Sequence, residues 1–150
     1  MDAFANLIGE AGRLLGIETL EPDADGAVEI VSEESAISVM RSGEAGDIVF
    51  MTAKVMDASD AAPDAFRRAL EFNFQPIAGG ATVSCDPDDG SFVLSDYVPL
   101  DVLTPEGLVS KLETFASALA KLRGLLADDG TAEKQSVPPD SADMSGLMLV

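Results

Sequence analysis

Apolar residues at the start of the chain fall at Ala3, Phe4, Leu7, Ile8, Ala11, Leu14 and Leu15. That i, i+3, i+4, i+7 spacing lines one face of a helix and predicts an α-helix over 2–16, stopped at Gly16. A turn-rich acidic loop follows, with Glu21, Asp23 and Asp25 around Pro22, and it closes at Gly26. The period then drops to two. Val28 and Ile30 alternate with their neighbours in 27–33, and Ile37 and Val39 do so in 36–41. Residues 47–56 are apolar on both faces. With short polar gaps at 33–35 and 42–46, these three strands read as an antiparallel meander.

The helical period returns over 60–75, with Asp60 as the expected N-cap, Pro63 in the first turn, and Phe66, Ala69, Leu70, Asn73 and Phe74 sharing a face. Pro76 and Gly79-Gly80 end it. Residues 81–86 and 91–98 read as two strands joined by the turn Asp86-Pro87-Asp88-Asp89-Gly90. Thr104 and Pro105 open a last helix, whose Leu108, Leu112, Phe115, Leu119, Leu122 and Leu126 recur at threes and fours. The order is α-β-β-β-α-β-β-α, an α+β fold with a twisted antiparallel sheet packed by three helices. The domain spans 1–127. From Asp128 the polar, Pro-containing stretch reads as a flexible tail over 128–150, ending in the apolar SGLMLV.

Composition narrows the chemistry. In 150 residues there are 27 acidic and 9 basic side chains, no His and one Cys, for a net charge of −18. Absent His removes a His-based triad, and with one Cys it removes a Cys/His zinc site within one chain. The negative field argues against nucleic acid and anionic membranes as partners. The N-terminus lacks the basic start and apolar run of a secretory signal, and the expected compartment is the cytoplasm. No cofactor is expected.

Four local patterns resemble sites. Glu21-x-Asp23-x-Asp25-Gly26 resembles the start of a calcium loop, but Ser32 stands where the bidentate Glu belongs. The Asp86–Gly90 run has its Gly misplaced and Tyr97 in the Glu position, so it reads as a hairpin turn. Cys85 shares a predicted strand face with Ala81 and Val83, which points to a buried small hydrophobe. Gly79-Gly80 lacks the Lys-Ser/Thr of a phosphate loop and reads as a flexible link. What remains is apolar surface. Three helices cover one face of a five-stranded sheet but hardly two, so part of the apolar surface should be exposed and available to a partner.

Residues 78–122, with Leu70-Glu71-Phe72-Asn73-Phe74 before them, resemble the class I type III secretion chaperones of the Tir-chaperone (CesT-like) family. The resemblance runs from Gly79-Gly80-Ala81-Thr82 through the Asp-Pro-x-x-Gly turn and Pro99-Leu100-Asp101 into the long last helix. Leu14-Leu15-Gly16, the acidic loop and three strands extend it over about residues 3–126.

The resemblance implies a non-enzymatic, acidic, cytoplasmic bacterial homodimer. It would bind the N-terminal chaperone-binding region of a secreted effector and keep it soluble and secretion-competent, with the secretion ATPase as a further partner. By element, it assigns the dimer interface to Phe66, Leu70 and Phe74, with Val83 and Val93, and effector binding to Leu14, Val28, Ile30, Ile37, Val39 and Met51. The apolar end of the tail is a candidate to fold back as a pseudo-cargo or to engage the secretion machinery. Arg67 and Arg68 read as ion-pair formers. Two other classes stay open: an acidic calcium-binding module, and a small enzyme with a buried carboxylate pair.

Overall fold

The computed structural model describes residues 2–33, 35–42, 47–74 and 80–127. Helix α1 (Ala3–Leu14) leads into strands β1 (Ala27–Val31), β2 (Ala36–Ser42) and β3 (Ile48–Met56). Helix α2 (Ala65–Phe74), strands β4 (Thr82–Cys85) and β5 (Phe92–Pro99), and helix α3 (Pro105–Leu126) complete the domain. This is the order read from the sequence. The tail expected over 128–150 and the Gly79 half of the glycine link lie outside the described residues.

Local chemistry fixes the helix ends. The Asp2 carboxylate accepts the N–H groups of Phe4 and Ala5 at 2.8 and 3.1 Å, capping α1. Its far end is a Schellman motif: Ile17 N–H bonds to Gly12 C=O at 2.7 Å and Gly16 N–H to Arg13 C=O at 3.1 Å. Gly16 takes φ +82°, a conformation that costs Gly little. Thr104 caps α3 through Gly107 N–H at 3.0 Å, with Pro105 in the first turn.

All five strands are antiparallel, in the order β1-β2-β3-β5-β4. Alternation sorts them into two faces. On one face Val28, Ile37, Val39, Val49, Met51, Ala53, Val55 and Leu94 are buried. They form one core with Phe4, Leu7 and Ile8 of α1 and with Leu108, Leu112, Phe115, Leu119 and Leu122 of α3. The other face carries the cross-strand row Ala27–Met40–Phe50–Tyr97. Met40 and Tyr97 are exposed there. The Phe50 and Tyr97 rings lie 5.9 Å apart.

Two expectations are corrected. Asp60 is not the cap of α2; it belongs to a 3-10 turn, Ala58–Asp60, and α2 starts at Ala65. The intervening chain is held extended, because Ala61 bridges Ala127 and Ala62 N–H bonds to Leu126 C=O at 2.8 Å. A residue before proline avoids the helical region as well, and Ala62 precedes Pro63. Cys85 is exposed, not buried. It is the last residue of the four-residue β4, beside the hairpin turn and past Val83, the point at which α2 grips the strand.

Candidate functional site

The sheet has two free edges, β1 and β4, and they are built differently. In an antiparallel ladder, residues turn both backbone groups toward the partner strand or both away. Ala27 turns away from β2: its C=O accepts Asp23 N–H at 2.7 Å and its N–H reaches the Asp23 carboxylate at 3.0 Å. Ser32 N–H bonds to Ser35 C=O at 2.8 Å, closing the β1–β2 turn. The alternation between these two points directs the N–H and C=O of Glu29 and Val31 outward, where no strand among the described residues pairs with them. Val31 is 69% exposed.

Two grooves are lined by segments that flank β1 in the chain, the acidic loop before it and the turn after it. One, of about 440 Å³, lies between α1 and the acidic loop, with Gly9 and Glu10 on one side and Glu18 to Pro22 on the other. The loop lies close to α1 because Gly12 has no side chain: a Cβ there would stand 2.9 Å from the Leu20 Cβ. The second groove, of about 350 Å³, is lined by Ala116, Leu119, Ala120 and Arg123 of α3 and by Ser32, Glu33 and Ser35. Seven acids lie between Glu18 and Glu34 without a Lys or Arg among them, so this end of the molecule is electronegative.

The β4 edge is closed. Val83 is its outward-turned residue, and the Asn73 side chain of α2 binds both of its backbone groups, each at 2.9 Å. An amide carries one donor and one acceptor side by side, so Asn73 imitates a paired strand residue. α2 is thereby fixed along this edge. It buries Ala65, Ala69 and Phe72, and it leaves Phe66, Leu70 and Phe74 in an exposed row at i, i+4 and i+8 (61, 69 and 84% exposed). Ala69, expected on the same face as this row, is part of the core. The Phe66 ring rests 5.2 Å from the buried Phe92. Charge is locally balanced: Arg67 pairs with Glu71 at 3.3 Å and Arg68 with Asp64 at 2.9 Å. Arg68 also donates to Leu125 C=O at 2.9 Å, tying α2 to α3.

Of the residues assigned to effector binding, Val28, Ile37, Val39 and Met51 are core residues beneath the helices and offer no surface. The resemblance assigned whole strands, and the buried face of a strand is its more apolar one. Ile30 is half-buried on that same face, and Leu14 is 54% exposed at the end of α1. Among the dimer residues, Phe66, Leu70 and Phe74 are together on the surface. Val83 is buried, and Val93 is half-buried on the open face. Sequence reasoning did not single out Val31, Met40, Tyr97 or the Asn73 clamp. The apolar character of β3 on both faces was the available signal for an exposed sheet face.

The competing chemistries find little support. Asp23 accepts Asp25 and Ala27 N–H, Asp86 accepts Asp88 N–H, and Asp89 accepts Ser91 N–H, so each of these carboxylates serves its own turn. The Ser91 N–H holds the Asp89 carboxyl below the usual carboxylate value. No group of acids that could hold a metal occurs among the described residues. Asp96 is the buried carboxylate among them, and it faces the Lys111 ammonium at 2.8 Å instead of a second acid. No described helix is long and apolar enough to cross a membrane.

Comparison with known proteins agrees with this architecture. No curated sequence matches the chain. Among solved structures, the fold is similar to that of a chain of the ExsC-ExsE complex (TM-score 0.71, 18% identity, 82% of this chain and 92% of that one). It is similar to a chain of the Yersinia pestis type III secretion chaperone SycH bound to a fragment of YscM2 (TM-score 0.63, 16% identity, 79% and 98%). It also matches the ExoT-SpcS complex of Pseudomonas aeruginosa (TM-score 0.63, 18% identity, 79% and 96%). Identities this low establish the fold. The family itself is established by the Tir chaperone protein (CesT) family model, which matches residues 6–123. The chain, by that match over most of its length, belongs to the Tir chaperone protein (CesT) family.

Proposed function

We propose that the protein is a type III secretion chaperone that works as a homodimer in the bacterial cytoplasm and holds an N-terminal segment of a secreted effector in extended form along β1. The observation that carries this reading is the contrast between the two edges. Among the described residues the outward backbone groups of Glu29 and Val31 have no strand partner and can pair with an added one, and the groove at the turn after β1 can take its side chains. The acid-rich surroundings favour a basic cargo segment and speed its capture.

The Phe66, Leu70 and Phe74 row is suited to a second copy. A two-fold axis brings the same row against itself, and α2 carries two Arg against one Glu in a chain whose net charge is −18. Repulsion between two such chains is least there. The cargo stays unfolded and soluble on the chaperone and is then handed to the secretion ATPase.

Sedimentation of the purified chain, alone and co-expressed with secreted effectors of its host, tests the reading. A dimer that retains one effector, with amide exchange slowed at Glu29 and Val31 in the complex, is the expected result. A monomer, or a complex that leaves those two amides as exposed as before, would overturn it.

A further inference from the structure

We infer that Glu29 sets the charge of the cargo strand: it selects Lys or Arg at the position opposite itself, two residues from an apolar one opposite Val31. The inference rests on the reading of β1 as a pairing edge and names the sequence class that this edge accepts.

The register defines which cargo positions matter. Side chains of a strand alternate between the two faces of its sheet, and cross-strand partners share a face. On β1, Val28 and Ile30 turn toward the helices, while Ala27, Glu29 and Val31 turn to the open face. Glu29 and Val31 are also the residues whose backbone groups point away from β2. An added strand therefore sets one side chain beside Glu29 and another beside Val31, both on the open face. The residue between them lies beside Ile30, on the helix side. Parallel and antiparallel strands alternate alike, so this holds for either direction of the cargo.

The surroundings give each position its chemistry. Glu29 ends a row of hydroxyl side chains that crosses the sheet through Ser38, Thr52, Ser95 and Thr82. Among the described strand residues of this face the other charge is Lys54, and it is paired with Asp57. The Glu29 side chain is exposed and has no ion-pair or hydrogen-bond partner among the described residues. A strand laid along β1 takes water from one flank of that carboxylate. A cation opposite it offsets the loss, whereas an acid, with the Cβ atoms about 5 Å apart, is repelled. Val31 is exposed with only Ala36 as its partner in β2, and Ile30 is half-buried against the core. Apolar side chains beside these two remove that surface from water. The accepted pattern is thus cation, apolar, apolar, in either order along the cargo. The same residue turns a second copy away. Pairing β1 with the β1 of another chain about a two-fold axis sets Glu29 and the acids of residues 18–34 against their like.

Selection from a displayed library of random seven-residue segments, on the full chain and three full-length variants, tests the inference. On the unmodified chain at low ionic strength, Lys or Arg should be enriched about tenfold over Asp or Glu at a position two residues from an apolar one. Glu29→Gln should flatten that preference and Glu29→Lys reverse it. Glu113→Lys makes the same change of charge at an exposed site on α3 and should keep the parental preference. A preference for cations that survives in Glu29→Lys, or that Glu113→Lys abolishes as well, overturns the inference, because the general field of the protein then does the selecting. A library without binders overturns it too. Amide exchange with a selected peptide tests the edge itself, with Val28 and Ile30, turned toward β2, as the internal reference. Slowed exchange at Glu29 and Val31 upholds the pairing edge whatever the charge preference. Unslowed exchange there sinks the edge reading and the inference with it. Protection that needs no peptide and grows with protein concentration puts a second copy on the edge and overturns the role of Glu29.

Discussion

The β1 and β4 edges of one sheet meet the same physical problem, a row of unsatisfied backbone groups, and resolve it in opposite ways. At β4, Asn73 satisfies Val83 with a single amide, and α2 covers the strand. At β1, Glu29 and Val31 keep their pairing capacity, and the protection against indiscriminate association is electrostatic, from the uninterrupted acids of residues 18–34. A closed, charge-balanced edge suits a permanent contact with an identical chain. An open, charged one suits a partner that must come, pair and leave. On the proposed function, this difference lets a single small domain separate assembly from cargo handling.

That comparison can be broken at four points, in falling order of effect. Phe66→Asp/Leu70→Asp should raise the dimer dissociation constant more than about a hundredfold, since charge replaces two apolar anchors. Equilibrium sedimentation measures it, and unchanged dimerisation would remove α2 from the interface. Asn73→Ala strands both backbone groups of Val83 and should cost about 2 kcal/mol in a urea titration. A near-zero change would mean that the clamp is incidental. Val31→Pro deletes an outward N–H that the ladder does not use. It should weaken effector binding about tenfold while stability moves by less than about 1 kcal/mol, whereas Ile30→Pro, which removes a ladder bond, should cost about 3 kcal/mol.

The smallest effect is a pH dependence. Asp89, held low by the Ser91 N–H, and Asp2, held low by the Ala5 and Phe4 N–H groups, are depressed below the ordinary 3.8. A carboxylate depressed in the folded state stabilises fully above its unfolded value and loses that contribution as pH falls through the folded one. The Tm gap between the parent chain and Asp89→Asn should therefore be present at pH 6 and shrink below about pH 4. A constant gap would show that the turn, and not its charge, matters.

Much of this was legible in the chain. The helix-to-strand change of period, the Thr104-Pro105 start and the Asp86–Gly90 turn are local signals, and all stand where the sequence put them. Three things were not local. Which of the last two strands lies beside β3 is decided by packing across the sheet, and it is β5. The start of α2 moved because Ala61 and Ala62 are held by the far end of the chain, at Leu126 and Ala127. How the two apolar faces of α2 divide is set by packing as well, and Ala69, read with the outer row, belongs to the core. Ala65, Ala69 and Phe72 face the domain, and Phe66, Leu70 and Phe74 face out. For the same reason the most apolar strand residues, Val39 and Met51, drew attention as a binding surface while belonging to the core.

The row Met40–Phe50–Tyr97 has an optical consequence. The chain holds one Tyr and no Trp, so its near-ultraviolet fluorescence comes almost wholly from the Tyr97 phenol. That phenol stands on the uncovered face of the sheet, beside Phe50. Any molecule that settles on this face changes the environment of that phenol, and an effector segment without Trp or Tyr can be titrated by intensity and quenching with no added label. The protein carries its own probe on the face that no described helix covers.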